Sequence, residues 1–592
     1  MCGISGIFRL PGGQPPAEEE LRRTLDAMAH RGPDGRGQWS SADGRALLGH
    51  LRLAIIDLSP AGAQPMASTD GRLHITFNGE IFNYRELRAA LPDRGSGLRT
   101  QSDTEVIMAW FALEGPRAFG RLRGMFALAI YDALERRLTL ARDPLGIKPL
   151  YYQSDEGAFR FASQVKALLA GGAVREALDP AGAVGFLLWG SVPEPHTWVR
   201  GVRALPAGHA LVVNDAVAAP EPFSLVPAQE SDADLATLLS DSVRAHLVAD
   251  VPVGVFLSAG LDSGLIAALA QRASREPLRT FTVVVPQWRG TERDEGSLAA
   301  AVAKALGTQH QERELDRDEF RALWRQHLEA MDQPSIDGFN TYLVSKLARE
   351  ANLKVVLSGL GGDELFGSYP SFRDVPRWHR AARALGMVPG LPGAWPRLAT
   401  VLRPGQPKLR GLASLGTSLA GAYLLRRGLF LPDELATLLP RPFLEEGLAA
   451  YDPVADAARL IVDPADPWRA VHTMESALYM RNQLLRDSDW ASMAHGLELR
   501  VPLVDTWLER GMAALDFEPG RSLGKAAAIA MVAPALPPAV FSRRKTGFAL
   551  PLEWLDDTQS EVVARHGSLR ARATARRVGA RFGLPVPEAS AA

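Results

Sequence analysis

Short apolar runs separated by turn residues fill roughly the first 210 residues. The strand-like runs cover residues 75–77, 126–131 and 138–140, and helical stretches lie between them at residues 18–29 and 104–114. The mixture of short strands and helices predicts an α+β or layered sandwich domain for this part of the chain.

A second pattern begins after residues 217–230, where Ala, Pro, Gln and Glu predict a linker. Apolar runs at 253–257, 281–285 and 355–357 alternate with helical stretches at 264–273 and 297–306. Strands that alternate with helices predict an α/β domain with a parallel sheet. Residues 380–470 predict a helical elaboration, and roughly the last 25 residues predict a frayed tail.

Composition narrows the class of protein. The 592 residues suggest roughly two to four domains. Hydrophobic residues make up 46% and charged residues 22%, which is typical of a globular chain. Lys plus Arg number 66 against 67 for Asp plus Glu. This balance lacks the basic excess of nucleic-acid binders, so no nucleic-acid partner is expected.

The number of cysteines and the length of the apolar runs indicate the cellular compartment of the protein. A single cysteine excludes an intramolecular disulfide and a thiolate metal cluster, and indicates a reducing compartment. No stretch approaches the ~20 apolar residues that span a bilayer. The N-terminus lacks the basic and apolar regions of a signal peptide. We therefore expect a cytoplasmic protein without a membrane partner.

The single cysteine, Cys2, directly follows the initiator methionine. Removal of that methionine would leave an α-amino group with a pKa near ~8 beside a thiol with a pKa near ~8.5. The amine can then act as the base for its own side chain, as in N-terminal nucleophile enzymes. The alternative is that Cys2 is a small buried hydrophobic residue.

Three further segments are suited to a zwitterionic amide such as glutamine. Asn78 and Gly79 place an amide side chain and a backbone N–H side by side, and both are donors suitable for an oxyanion. Arg52 offers a planar fork for a carboxylate, and Asp103 an acceptor for an ammonium group. Each residue alone is more often a turn residue or a solvated charge.

The second half contains two loops suited to a nucleotide. Ser258 to Ser263 follows an apolar run and opens a helix, so its backbone N–H groups can hold an anion. Asp262 within this loop implies Mg²⁺ together with ATP. A second loop runs from Ser358 to Gly367 and contains Asp363. The first loop could instead be an ordinary N-capped strand–helix turn, and Asp363 with Glu364 could be carboxylates that the dipole favours at a helix N-terminus. Together with Val283 on the intervening strand, the two loops could converge on one nucleotide.

The sequence does not match two other signatures of nucleotide-binding proteins. The segment from Gly520 to Lys525 is one residue short of a Walker A loop and lacks its Ser or Thr. The Gly359-Leu-Gly361 segment misses the third glycine of the dinucleotide fingerprint.

The N-terminal motifs resemble the glutaminase domain of class II glutamine amidotransferases. They are Cys2-Gly-Ile-Ser-Gly, His30-Arg-Gly-Pro-Asp34, Asn78-Gly-Glu-Ile-Phe-Asn83 and Arg142-Asp-Pro-Leu-Gly-Ile-Lys148 with Pro149-Leu-Tyr-Tyr152. The resemblance implies a four-layer αββα sandwich over residues 2–213. It also implies that Cys2 is the nucleophile, that Asn78 and Gly79 form the oxyanion hole, and that Arg52, Glu80 and Asp103 hold glutamine.

The C-terminal motifs resemble glutamine-hydrolysing asparagine synthetases of the B type, within the PP-loop ATP pyrophosphatases. The segments are Arg486-Asp-Ser-Asp489, Ser492 to Arg500, Val501 to Asp505, and Arg544 to Phe548 with Pro551. The resemblance implies an ATP-binding domain over residues 228–570 and a possible homodimer. The implied ATP contacts are Phe256, Leu257, Ser258, Gly260, Asp262, Ser263, Val283, Ser358 and Gly359. Asp262 and Asp363 would bind Mg²⁺, and Lys545 would neutralise charge on the phosphates.

The family's activity gives the functional hypothesis. Glutamine is hydrolysed at the first site, ammonia crosses an internal tunnel, and ATP activates aspartate as an acyl-adenylate that ammonia converts to asparagine. Two residues depart from the family pattern. Ala259 replaces a glycine of the pyrophosphate loop, where a positive φ would strain it. Leu360 replaces a glutamate that asparagine-forming members commonly carry.

Leu360 keeps other functions open. The first alternative is an amide ligase for a different carboxylate, such as a peptide, an antibiotic precursor or an envelope sugar acid. The second is a simple N-terminal nucleophile amidohydrolase with an inactive ATP domain, and the third is a non-catalytic binding scaffold.

Overall fold

The structure is a computed structural model that describes residues 2–226, 233–402, 407–515, 519–543, 550–555 and 567–584. Two antiparallel sheets build its N-terminal part. In spatial order, the first consists of β10 (Val202–Ala204), β8 (Tyr151–Ser154), β9 (Ala158–Ala162), β1 (Gly3–Arg9), β3 (Ala46–Arg52) and β2 (Gly35–Ser40). The second consists of β12 (Glu221–Pro222), β11 (His209–Val213), β7 (Arg137–Arg142), β6 (Gly124–Asp132), β5 (Leu73–Ile81) and β4 (Met66–Ala67).

The α-helices, in chain order, are α1 (Glu18–Ala27), α2 (Tyr84–Ala89), α3 (Asp103–Glu114), α4 (Val165–Gly171), α5 (Pro180–Trp189), α6 (Leu235–His246), α7 (Leu261–Ala273), α8 (Gly296–Leu306), α9 (Arg317–Ala330), α10 (Phe339–Glu350), α11 (Gly362–Leu365), α12 (Ser371–Gly386), α13 (Leu391–Leu402), α14 (Leu412–Leu415), α15 (Leu419–Arg427), α16 (Arg441–Ala450), α17 (Pro453–Arg459), α18 (Pro467–Met474), α19 (Arg486–Met493), α20 (Thr506–Ala513), α21 (Lys525–Val532), α22 (Pro538–Ser542) and α23 (Gly567–Arg581). A π-helical segment, Glu475–Leu485, joins α18 to α19.

Alternation along the strands explains the layers. Ile4 and Phe8 of β1 point into the space between the two sheets, whereas Ile7 points outward against Leu25 of α1. On the far side, Val106 of α3 packs in the core that the second sheet covers. The order of layers is helix, sheet, sheet, helix, so the predicted αββα sandwich is confirmed.

A third sheet lies in the C-terminal part, and its strands are parallel. In spatial order they are β15 (Gln309–Glu314), β14 (Arg279–Val284), β13 (Val253–Phe256), β16 (Val355–Leu357) and β17 (Glu498–Arg500). Helices connect them, as the alternating pattern predicts, and residues 380–470 are largely helical. The predicted α/β domain with a helical elaboration is therefore confirmed.

The prediction of a frayed tail is wrong for residues 567–584. Helix α23 buries Ala575 and Val578, which are three positions apart and so share one helical face. Trp198 fixes the end of the helix through an indole N–H bond of 2.8 Å to the Phe582 carbonyl. Residues 585–592 lie outside the described part of the chain.

Two predicted boundaries remain predictions. The proposed linker at 217–230 includes β12, which extends the second sheet beyond residue 213, and residues outside the described part. The domain limits 2–213 and 228–570 are therefore not fixed by the fold. Among the described helices, none is long and apolar enough to cross a membrane.

Candidate active sites

Cys2 lies just before β1, an interior strand of the first sheet, and faces β5 of the second sheet. Its side chain is buried, and its backbone nitrogen donates to Oδ1 of Asn78 at 2.8 Å. The thiol lies 3.9 Å from the carbonyl oxygen of Leu53, at the end of β3. The structure thus brings together residues 2 and 78, which the sequence separates by 76 positions. We call the surroundings of Cys2, Asn78, Gly79 and Asp103 the Cys2 site.

The donors predicted for an oxyanion are placed on β5. Asn78 is fully buried, and its Nδ2 has no hydrogen-bond partner among the described residues. A buried donor without a partner is costly, so a bound oxyanion would satisfy it. At the next residue, Gly79, a Cβ atom would lie 2.1 Å from the carbonyl oxygen of Met125. Only glycine allows β5 to approach β6 this closely.

Burial shapes the ionisation of this site. It raises the pKa of the Cys2 thiol, which therefore needs a base to become a nucleophile at neutral pH. Burial also raises the pKa of Asp103 to about 6, although Oδ2 of Asp103 accepts a 3.0 Å hydrogen bond from the Ile81 backbone. Asp103, at the start of α3, is thus held against the end of β5, and its carboxyl group loses its proton only above about pH 6.

The other two predicted glutamine contacts face different neighbours. Arg52 donates to the carbonyl oxygens of Ser59, at 2.9 Å, and of Asp57. Glu80 is buried, with Oε1 3.6 Å from the Arg500 guanidinium of the C-terminal part. Burial and the charge of nearby Glu498 raise the pKa of Glu80. Their predicted role in holding glutamine stays a prediction.

Sequence reasoning missed the link between Cys2 and the C-terminal part. Arg31 donates from Nε to the Cys2 carbonyl at 3.1 Å and binds both carboxylate oxygens of Asp489, at 2.8 and 3.1 Å. Both side chains are buried. Each residue belongs to a motif that the sequence displays, but nothing in the sequence pairs motifs 458 positions apart.

The second site begins where β13 ends and α7 starts. Ser258 and Ser263 close the loop through a 2.9 Å bond between their hydroxyl groups. The backbone N–H of Gly260 donates to the Ser258 hydroxyl at 3.2 Å. Helix α7 directs its N-terminal N–H groups to this loop, which suits a phosphate.

Three loops converge beside the carboxyl ends of the parallel strands, namely those at 258 and 358 and the loop with Asp337 and Gly338 between α9 and α10. A cavity of about 330 Å³ is lined by all the predicted nucleotide contacts, which are Phe256, Leu257, Ser258, Gly260, Asp262, Ser263, Val283, Ser358 and Gly359. We call it the sheet-end cavity. At Gly359 a Cβ atom would lie 2.7 Å from the backbone of Asp262, so glycine is required for the two loops to approach. The predicted convergence of the loops at 258 and 358 is observed.

Lys525 is a further residue of this site that sequence reasoning missed. Its ammonium lies 2.5 Å from a carboxylate oxygen of Asp262 and 2.5 Å from one of Asp363. The segment from Gly520 to Lys525, which does not match the Walker A signature, ends at this lysine. The lysine nevertheless reaches the site. Among the described residues, no group of three His, Cys, Asp or Glu could hold a metal.

The Asp262–Asp363 pair nonetheless fits a magnesium ion. The two carboxylates already converge on one cation, and Mg²⁺ in nucleotide sites commonly takes one or two carboxylates plus phosphate oxygens. Lys545, predicted to act on the phosphates, lies outside the described residues.

The two departures from the family pattern have different consequences. Ala259 is not among the non-glycine residues with positive φ, so alanine does not strain the loop. Leu360 lines the sheet-end cavity with an apolar side chain. Asp487, in the same cavity, is a carboxyl group whose pKa burial raises to about 7.

Two connections cross from one site to the other. Asp487 and Ser488 of α19 line the sheet-end cavity, and the next residue, Asp489, binds the Arg31 that holds Cys2. The Arg500 carbonyl accepts a 2.9 Å bond from the Ser358 backbone, while its guanidinium faces Glu80. Helix α19 thus lines the sheet-end cavity and, through Asp489 and Arg31, also contacts the Cys2 site.

Comparison with known proteins gives matches to both parts of the chain. Residues 1–224 match the glutamine amidotransferase domain family, and residues 234–580 match the asparagine synthase family. A putative glutamine-hydrolysing asparagine synthetase of Mycobacterium tuberculosis is 34% identical, over 94% of this chain and 88% of that protein. Asparagine synthetase 1 of Bacillus subtilis is 31% identical, over 95% and 89% respectively. The amidase chry2 of Gibberella zeae is 31% identical, over 63% and 60%.

Proposed function

Because this chain belongs to the asparagine synthase family and carries a glutamine amidotransferase domain, we propose that it transfers glutamine nitrogen to a carboxylate activated by ATP. Glutamine is hydrolysed at the Cys2 site. The carboxylate is adenylated in the sheet-end cavity, and ammonia joins the two reactions.

At the Cys2 site, the chemistry follows from the geometry. Once methionine is removed, the amine of Cys2 takes the thiol proton, and Oδ1 of Asn78 orients that amine. The thiolate attacks the glutamine amide carbon, and Nδ2 of Asn78 with the Gly79 N–H stabilises the oxyanion. The Cys2 amine passes its extra proton to the leaving nitrogen, ammonia departs, and water cleaves the resulting thioester to glutamate and the free thiol.

In the sheet-end cavity, the Ser258–Ser263 loop holds the pyrophosphate of ATP. The acceptor carboxylate attacks the α-phosphorus, pyrophosphate leaves, and ammonia then displaces AMP to form the amide. Asp262 and Asp363 would hold Mg²⁺, which supplies charge neutralisation for the departing pyrophosphate. Lys525 lies between these carboxylates, and Lys545 is proposed for the same phosphates.

The observation that supports this function most directly is the connection through α19. Asp487 and Ser488 line one site, and Asp489 reaches Cys2 through Arg31. This proximity favours direct transfer of ammonia. Transfer through bulk water would protonate the ammonia and remove its nucleophilicity, whereas a buried route favours the neutral form.

Aspartate is the first acceptor to test, since the relatives that match most of the chain are named asparagine synthetases. A second candidate is a different carboxylate. Leu360 favours it because leucine can neither accept nor donate a proton where asparagine-forming members commonly carry glutamate. The similarity to an amidase over part of the chain supports keeping this alternative.

The test is an assay of the purified protein with glutamine, ATP, Mg²⁺ and aspartate. Asparagine, AMP and pyrophosphate in equal amounts would support aspartate as the acceptor. Glutamate release without asparagine would remove aspartate but leave the amidotransferase. If the protein neither releases glutamate nor exchanges pyrophosphate into ATP with any acid, the proposed function is overturned.

A further inference from the structure

A second cavity of about 490 Å³ adjoins the sheet-end cavity. Asp337 lines both cavities. On the helix that separates them, Gln483 lines the second cavity and its neighbour Leu484 lines the first. The two cavities therefore meet at Asp337. We call the second one the basic cavity, after the three cations in its wall, Lys408, Arg426 and Arg427.

These three cations are held by fixed partners. Arg427 donates to both carboxylate oxygens of buried Glu475, at 2.9 and 2.7 Å. Arg426 donates to Asp374 at 3.1 Å. Lys408 donates to the carbonyl oxygens of Arg426, at 3.2 Å, and of Gly428, at 2.5 Å. The charges are therefore positioned before any ligand binds, which lowers the cost of binding one.

Several guanidinium groups lie around Lys408. Burial, together with the charges of Arg426 and Arg572 and against the charge of Glu434, lowers the pKa of this lysine to about 8. Burial penalises a charge of either sign, so the part of this effect that favours an anion is the part that the two guanidinium groups supply. An anionic group beside Lys408 would offset the repulsion between these cations.

Other parts of the lining suit an organic molecule. Trp189, Tyr479 and Leu429 also line the cavity, and the Arg427 guanidinium lies 3.9 Å from the centre of the Tyr479 ring. The volume is in the range of cavities that bind whole small molecules. Aromatic and cationic walls together fit an organic acid better than an inorganic ion.

The sheet-end cavity has the opposite character. Among the described residues that line it, the charged side chains are carboxylates, namely Asp262, Asp337, Asp363 and Asp487. Lys525 lies between Asp262 and Asp363, so these two carboxylates are balanced by a cation. Asp337 and Asp487 would repel a second negative group placed beside them, whereas the basic cavity offers Lys408 and Arg426.

We propose that the basic cavity holds the tail of the acceptor, and that the acceptor is an organic acid larger than aspartate with a second anionic group, carboxylate or phosphate, at its far end. The inference rests on the second candidate of the proposed function, in which Leu360 favours a carboxylate other than aspartate. The reacting carboxylate lies in the sheet-end cavity, the chain passes Asp337, and the second anion binds at Lys408 and Arg426.

Pyridoxal phosphate tests the anion site without knowledge of the acceptor. The Lys408 amine attacks its aldehyde carbon, water leaves, and added borohydride delivers hydride to the imine carbon, which fixes the label for peptide mass spectrometry. We expect pyridoxal phosphate to label Lys408 at least about tenfold faster than pyridoxal, which lacks the phosphate. Exposed Lys304 is the internal control and should not distinguish the two reagents.

Acceptor length is tested by ATP–pyrophosphate exchange with succinate, adipate and suberate, each beside its monoamide. The monoamide keeps the reacting carboxylate and removes only the distal charge. We expect the longer diacids to exceed succinate and aspartate, and each monoamide to lose about tenfold. Lys408→Gln should remove the preference for the distal charge, whereas Lys304→Gln should keep it. A phosphate-tailed acid of matched length distinguishes the two kinds of anion.

The outcomes separate the two proposals. Equal labelling of Lys408 by both reagents, or exchange that is best with aspartate and indifferent to Lys408→Gln, would overturn the tail site while the proposed function stands. Absence of exchange with every acid, together with phosphate-dependent labelling that diacids block, would overturn the proposed function and leave the anion site.

Discussion

The Cys2 site and the sheet-end cavity are built in opposite ways. The Cys2 site is closed: Cys2 is 8% exposed, Asn78 is fully buried, and Arg31 and Asp489 seal it with a buried ion pair. The sheet-end cavity is an open space of about 330 Å³ between three loops. The closed site suits a reaction in which ammonia must not escape. The open cavity suits large substrates that must enter and leave.

The two sites also differ in what holds them. The nucleophile depends on contacts with a distant part of the chain, because Arg31 joins Cys2 to Asp489. The pyrophosphate loop of the sheet-end cavity is closed by a local contact, the bond between Ser258 and Ser263. Changes at the boundary should therefore disturb the Cys2 site more than the sheet-end cavity.

The largest expected effect comes from Cys2→Ala, which separates the two sites. Without the thiolate, glutamate release should fall at least about a thousandfold, as in other enzymes that lose their nucleophile. Synthesis driven by added ammonium at pH 8 should persist, because the sheet-end cavity is untouched. Glutamate and pyrophosphate release are the measurements.

The control for this variant uses the single cysteine of the chain. A thiol-alkylating glutamine analogue should add one mass increment to the wild-type protein and none to Cys2→Ala. The intact mass also reports whether the initiator methionine is removed. Equal glutamate release by both proteins would contradict the assignment of Cys2.

The next largest effect is expected at the boundary between the sites. Arg31→Met leaves the Asp489 carboxylate buried without its partner, which costs about 3–5 kcal/mol of unfolding free energy. It also loosens Cys2, so glutamate release should exceed amide formation. Urea denaturation and the ratio of glutamate to pyrophosphate measure the two effects.

Two matched variants sharpen this result. Adding Asp489→Leu to Arg31→Met should recover much of the stability, because the unpaired charge is gone. Arg22→Met, which breaks the exposed pairs of Arg22 with Glu19 and Asp26, should cost far less stability, because water screens exposed ion pairs. Equal losses from Arg31→Met and Arg22→Met would show that the boundary pair does not hold the site.

The same comparison explains how much the sequence could predict. The layers follow from strand alternation, such as Ile4 and Phe8 against Ile7, and the nucleotide loops follow from small residues at strand ends. The pairing of Arg31 with Asp489 could not be predicted, because their separation along the chain carries no local signal. Helix α23 was missed because only Ala575 and Val578 mark its buried face.

A smaller effect is expected when the pH is lowered, and it should change mainly the KM for glutamine at the Cys2 site. Burial raises the pKa of Asp103 to about 6, so this carboxyl is neutral below that pH and cannot hold the glutamine ammonium. We expect the KM for glutamine to rise by up to about tenfold per pH unit below 6, with kcat changing less. Asp103→Asn should give a high KM that no longer varies in this range. A wild-type KM that is constant from pH 5 to 7.5 would remove Asp103 from glutamine binding.

The smallest effect is expected at Ala259, in the loop of the open cavity. A glycine is common there in the family, yet Ala259 does not adopt a positive φ, so the loop has no need of glycine. Ala259→Gly should lower stability by about 0.4–1 kcal/mol, because glycine has more freedom to lose on folding. The KM for ATP should stay within about twofold, since 1.4 kcal/mol would be needed for a tenfold change. A gain in stability together with tighter ATP binding would mean that alanine strains this loop. The loop of the open sheet-end cavity would then be strained rather than relaxed.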